Sequence, residues 1–124
     1  MAGTVTVEES YFEGICKIKW SWTSTAGGAA DLVTTKAYYG EVLALVTDPG
    51  ATAPTDDYDI TITDPDGYDV MQAAGANRDT ANTETAVPTA KSVAFGLLTL
   101  NVANAGNAKV GTATLYILGK RMPQ

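Results

Sequence analysis

FEGICKIKWSWT, residues 12 to 23, decides the fold. Phe12, Gly14, Cys16, Ile18, Trp20 and Trp22 occupy every second position, with Glu13, Lys17, Lys19 and Ser21 between them. A helix would scatter these residues around its axis, whereas a strand collects alternate side chains on one face. The stretch reads as one half-buried strand from Phe12 to Thr23, with both tryptophans and Cys16 turned to a core. Upstream, residues 1–13 read as an arm or an edge strand leading into it.

Downstream, the pattern repeats in pieces. Small residues from Ser24 to Asp31 make a flexible tip, and an apolar stretch resumes from Leu32 to Thr47. Alternation there is partial: Tyr39, Glu41, Leu43 and Leu45 oppose Tyr38, Val42, Ala44 and Val46, which suits a strand covered on both faces, with Gly40 marking a bulge. Tyr58, Ile60 and Ile62 form the inward row of another strand. It runs into Asp64-Pro65-Asp66-Gly67, where Pro and Gly sit where a tight turn wants them, with Tyr68 and Val70 returning. Residues 72–88, QAAGANRDTANTETAVP, have no period and read as a long binding or packing loop. One strand is predicted from Val93 to Val102 and a last one from Val110 to Leu118, the latter uncharged on both faces.

These elements amount to six to eight short strands with little helix, an all-β domain of β-sandwich or jelly-roll-like barrel type. The 124 residues suffice for one domain, taken as residues 14–120 with residues 121–124 as a tail.

Composition narrows the function. Eight Lys plus Arg against 14 Asp plus Glu give a formal charge of −6, the wrong sign for neutralising nucleic-acid phosphates. With no histidine and one cysteine, the chain lacks His-based acid/base chemistry, a His-ligated zinc site and an intrachain disulfide. No apolar run reaches the roughly 20 residues of a membrane span, and the first residues lack a secretion signal, so a soluble product of the cytoplasm is expected. The serines have no histidine partner and no G-x-S-x-G context, and Gly27-Gly28 belongs to no phosphate loop. No enzymatic activity and no cofactor are expected. Asp64, Asp66 and Asp69 alternate around Gly67 like half of a calcium loop, but the twelfth-position glutamate is missing and Pro65 favours a plain turn. Trp20, Trp22, Tyr38 and Tyr39 could form an exposed aromatic platform for sugar or protein; shared phase puts the tryptophans in a core first, while adjacent tyrosines must point to opposite sides of a strand, leaving one at a surface or interface.

PGATAPTDDYDITITDPDGYDV (residues 49–70), the loop from Gly75 to Asp79, GLLTLNVANAG (96–106) and GTATLYIL (111–118) together resemble small virion proteins of tailed bacteriophages. The resemblance is closest to capsid decoration, or cement, proteins, which implies a homotrimer on the outer capsid surface of the virion, bound to the major capsid protein and bridging capsomers. A tail or head-completion component is also compatible, and a carbohydrate-binding β-sandwich is the competing class. Residues 2–12 then resemble an arm lying on a shell, and the 72–88 loop a reach toward a neighbour. The interface candidates on this reading are Val5, Val7, Tyr11, Phe12, Tyr38, Tyr39, Arg78 and Tyr116.

Overall fold

Phe12 and Ile15 face each other across a two-residue turn, so the stretch read as one strand is a hairpin tip followed by the hairpin's second strand. The computed structural model describes residues 3–123, and in it β1 (Thr4–Phe12) and β2 (Ile15–Thr23) pair antiparallel along their whole length. Glu13 and Gly14 have φ of 48° and 88°. Positive φ at both central positions is the type I′ turn, whose twist matches that of paired strands. Glycine is there for its φ, since nothing lies within 4 Å of where its Cβ would be. The turn exchanges the parity of the pattern: Cys16, Ile18, Trp20 and Trp22 are buried as expected, while Phe12 is on the opposite face and 75% exposed.

Seven further strands follow: β3 (Ala30–Val33), β4 (Lys36–Pro49), β5 (Asp59–Thr63), β6 (Glu84–Ala86), β7 (Val93–Gly96), β8 (Thr99–Ala103) and β9 (Val110–Pro123). The domain is all-β, with nine strands in two sheets among the described residues rather than six to eight. The larger sheet has the order β1-β2-β9-β4-β6, with β7 also on β4; the smaller is β3-β8-β5. Neither closes into a barrel, and the strand order is not that of a jelly roll. The long β4 carries β7 on residues 38–41 and β6 on residues 45–47 along one edge, so the large sheet ends in two short strands and never meets β1.

One core fills the space between the sheets. Ile18, Trp20, Leu45, Leu115 and Ile117 enter from the large sheet and Ile60, Ile62, Leu100 and Val102 from the small one. Each such aliphatic side chain contributes about 1.5–3 kcal/mol by leaving water. Trp20 also ties the layers together, its Nε1–H donating to the Leu32 carbonyl of β3 at 3.2 Å.

Several boundaries differ from expectation. The bulge in β4 is at Leu43, between the Val42–Ile117 and Ala44–Tyr116 pairs, and not at Gly40. It moves the inward phase from Tyr38 and Val42 to Leu45 and Thr47, which is why the sequence alternates only in part. Gly40 instead faces Gly119 on β9, where a Cβ on either residue would strike the opposite backbone. The predicted strand 93–102 is two strands, because the chain changes sheets between Gly96 and Thr99: β7 pairs with β4, β8 with β3 and β5. Residues 121–123, expected as a tail, continue β9 opposite Lys36–Tyr38, and Gln124 lies outside the described residues. Residues 1–2 of the proposed arm lie outside them too; residues 4–12 are an edge strand, with Val5 and Val7 packed against the core.

The 72–88 stretch contains β6 and is folded back onto its own domain. The Ile60 N–H donates to the Gly75 carbonyl, Asp57 N–H to Arg78, and Arg78 N–H to Tyr58, at 2.7–3.0 Å. Thr80 donates its hydroxyl to the Pro54 carbonyl, and the Gln72 amide oxygen accepts from Ala90 N–H at 2.8 Å.

Candidate interaction face

Strand register assembles an apolar row that no single segment of the chain contains. Phe12 pairs with Ile15, Ile15 with Leu118, Leu118 with Glu41, and Glu41 with Val93. Directly opposed residues in antiparallel strands share a face, so these five stand in line across β1, β2, β9, β4 and β7 on the side away from the core. At about 4.8 Å per strand the row is about 19 Å long. Val93 (53% exposed) and Leu118 (48%) are its most open members after Phe12, and Phe95 (69%), two residues along β7 from Val93, shares their face. Tyr39 flanks the row, its ring 4.9 Å from that of Phe95 in an edge-on contact at 86°. On the other flank Tyr116 lies opposite Lys17 and Ala44, and the bulge residue Leu43 is exposed beside it. A shallow hollow of about 280 Å³ opens at the hairpin end, lined by Ser10, Tyr11, Phe12, Ile15, Lys17 and Tyr116.

The rest of the same face is polar. Beyond Ser10 and Lys17, the outward pairs of β1 and β2 are Glu8 with Lys19, Thr6 with Ser21 and Thr4 with Thr23. The apolar row therefore has a defined border, as expected of a contact patch with a polar rim.

The structure brings three of the sequence-derived interface candidates to this patch: Phe12, Tyr39 and Tyr116; Tyr11, opposite the buried Cys16, is on the other face of β1 and only borders the hollow at the hairpin end. Val5 and Val7 are on the core side of β1, opposite Trp22 and Trp20. Tyr38 is fully buried, since even positions of β4 before the bulge point inward; its hydroxyl donates to Glu9 Oε1 at 2.8 Å. Arg78 is held within the loop, its guanidinium donating to the Ala76 carbonyl and lying 3.5 Å from Glu84 Oε1. Tyr38 and Arg78 are thus not surface contacts. Ile15, Glu41, Val93, Phe95, Leu118 and Lys120 complete the patch and were not singled out from sequence. The one signal for them was the uncharged last strand, with no charge from Val110 to Leu118.

The acidic candidates are engaged with backbone. Asp64 Oδ1 accepts from the N–H groups of Asp66 and Tyr68, closing the Asp64–Gly67 turn. Asp69 accepts from Ile62, Met71 and Ala73 N–H. Asp66 is exposed on the turn. Among the described residues, no three His, Cys, Asp or Glu side chains are grouped to hold a metal ion.

Glu9 is the most connected carboxylate. Burial pushes its pKa up, but hydrogen bonds from Thr35, Tyr38 and the Thr35 and Lys36 backbone outweigh this and hold it below 4.5. Oε2 takes the Thr35 N–H and hydroxyl, Oε1 the Lys36 N–H and the Tyr38 hydroxyl, so edge strand β1 is clamped to the β3–β4 connection. At the opposite end of the core, Trp22 Nε1, Thr47 Oγ1 and Tyr58 OH are buried without hydrogen-bond partners. Burial raises the Tyr58 pKa above 10.0; the nearby Thr47 hydroxyl opposes that shift without reaching hydrogen-bond geometry.

No protein-family model, curated protein or solved structure matches the chain.

Proposed function

We propose that this chain is a structural protein that works by surface contact, binding the outside of a tailed-phage capsid and reinforcing the joints between capsomers. The observation that carries the reading is the bordered apolar row on the outer face of the large sheet, set on a domain in which Asp64, Asp69, Gln72, Asp79 and Thr80 are used to hold its own loops. Two inward-facing layers of core lock the sheet, so the row is presented on a rigid surface and little ordering is lost on contact. The virion setting comes from the resemblance of residues 49–70, 96–106 and 111–118. Reinforcement would come from additional buried area across seams, modest at one position and multiplied over a shell.

A sugar-binding module needs an open aromatic platform, and Trp20 and Trp22 are buried. That favours protein contact over stacking on a glycan. The test is co-sedimentation of the purified protein with undecorated capsids assembled from a tailed-phage major capsid protein of the same source, followed by heating. Saturable binding with a raised capsid disruption temperature is expected. Capsids that leave all of the protein in the supernatant at micromolar concentration would overturn the capsid assignment.

A further inference from the structure

We infer that the apolar row is a self-association face, through which two copies of this chain pack large sheet against large sheet about a twofold axis. The inference rests on the proposed reading only in taking the protein to act by protein contact; it assigns the row itself to a second copy, so that in the pair a capsid is met by the surfaces the pairing leaves open.

Size is the first argument. Phe12, Phe95, Val93 and Leu118 are each about half exposed or more, and with their half-buried neighbours they leave on the order of 500 Å² of apolar surface. That is at the upper end for a monomer, and it is the right area for the apolar centre of an interface burying about 800 Å² per partner.

Charge is the second argument. Glu41 stands inside the row between Leu118 and Val93, and Lys120 stands one step along β9, opposite Tyr39. Among the described residues neither makes an ion pair or a side-chain hydrogen bond. A carboxylate in the middle of an apolar contact is costly to bury unless the partner brings a cation to it. A patch that sets Glu41 and Lys120 side by side, with Lys17 at its hairpin end, supplies that cation from a second copy of itself. A twofold axis running in the interface midway between Glu41 and Lys120 places Glu41 of each copy over Lys120 of the other, giving two reciprocal pairs from one operation, as an isologous contact requires. A partner of different sequence would have to match this arrangement independently.

The experiment is mass by light scattering after size exclusion, over a hundredfold range of concentration, with thermal melting of each variant as a check on folding. Wild type is expected to reach twice the chain mass. Phe95→Ser, at an exposed position, is expected to melt near wild type and to weaken pairing. Glu41→Lys and Lys120→Glu each put like charges together and are expected to weaken it about tenfold or more, while the double variant returns to within about threefold of wild type. A wild type that is monomeric throughout, a trimer, or a dimer indifferent to Phe95→Ser and to both charge reversals would overturn the inference. Capsid co-sedimentation of the same samples separates the two readings: a monomer or trimer that still binds capsids refutes only the twofold pairing, and a charge-sensitive dimer that ignores capsids refutes only the capsid assignment.

Discussion

Truncating Trp20 tests whether the two sheets are held together as described. The side chain is fully buried, and its indole N–H makes a 3.2 Å hydrogen bond to the Leu32 carbonyl in the opposite sheet. Burial of about 200 Å² at about 25 cal/mol per Å² is worth about 5 kcal/mol as an upper bound. Core Trp→Ala changes cost about 3–5 kcal/mol, because the surroundings close only partly over the cavity. Removing the donor also loses the hydrogen bond to the Leu32 carbonyl, worth about 1 kcal/mol. Trp20→Ala should therefore lose about 4–5 kcal/mol, a large part of the stability of a small domain. Trp20→Phe keeps most of the ring and loses the hydrogen bond, so about 1–2 kcal/mol is expected from it. Urea unfolding followed by far-ultraviolet circular dichroism gives both values, with the slope held constant across variants. A loss below about 1 kcal/mol for Trp20→Ala would show that Trp20 does not join the sheets. Equal losses for the two variants would show that the indole N–H, not the ring, dominates.

Two further outcomes follow from the polar groups. Tyr58→Phe removes a buried hydroxyl that has no partner, so it should leave stability within about 0.5 kcal/mol of wild type or raise it. Because the folded Tyr58 holds its proton above 10.0, wild type should also lose stability as pH rises past that value, and the phenylalanine variant should lose less; a clear drop in the variant's urea midpoint at pH 7 would mean the hydroxyl is paired. Glu9 is shifted the other way: with the folded pKa below 4.5, its contribution is complete above that value and disappears as pH falls through the folded pKa. Glu9→Gln should be less stable than wild type at pH 7, and the two should converge on acidification; a gap that stays constant with pH would show that the ionised clamp contributes nothing.

The strands that sequence revealed best are those whose pattern is local and unbroken. Ile18, Trp20 and Trp22 on β2 and Ile60 and Ile62 on β5 are all buried in the phase that alternation predicts. The failures occur where the chain changes phase or partner without changing composition. Glu13 is not a residue that announces a type I′ turn, so the hairpin tip passed for continuous strand and Phe12 was put on the wrong face. The Leu43 bulge inserts one residue into β4 and merges two clean alternations into one blurred one. Between Gly96 and Thr99 the chain crosses from one sheet to the other through Leu97 and Leu98, apolar residues indistinguishable by type from strand interior.

The interaction face was illegible for a different reason. Its row draws one residue from each of five strands, positions 12, 15, 118, 41 and 93, and only the pairing register sets them in line. Residues on one strand can be read by counting in twos, but residues on neighbouring strands need the register, which depends on turn length and bulges. The Glu13-Gly14 turn turns Phe12 outward, and the chain crossing after Gly96 releases Phe95 and Val93 from the core. The features that spoiled the strand pattern are thus the ones that built the patch. Exposed phenylalanines at a hairpin tip and on a short edge strand are a hazard for an isolated monomer, since unpaired edges and apolar faces invite aggregation. The proposed pairing removes that hazard, because the second copy covers the phenylalanines together with Glu41 and Lys120.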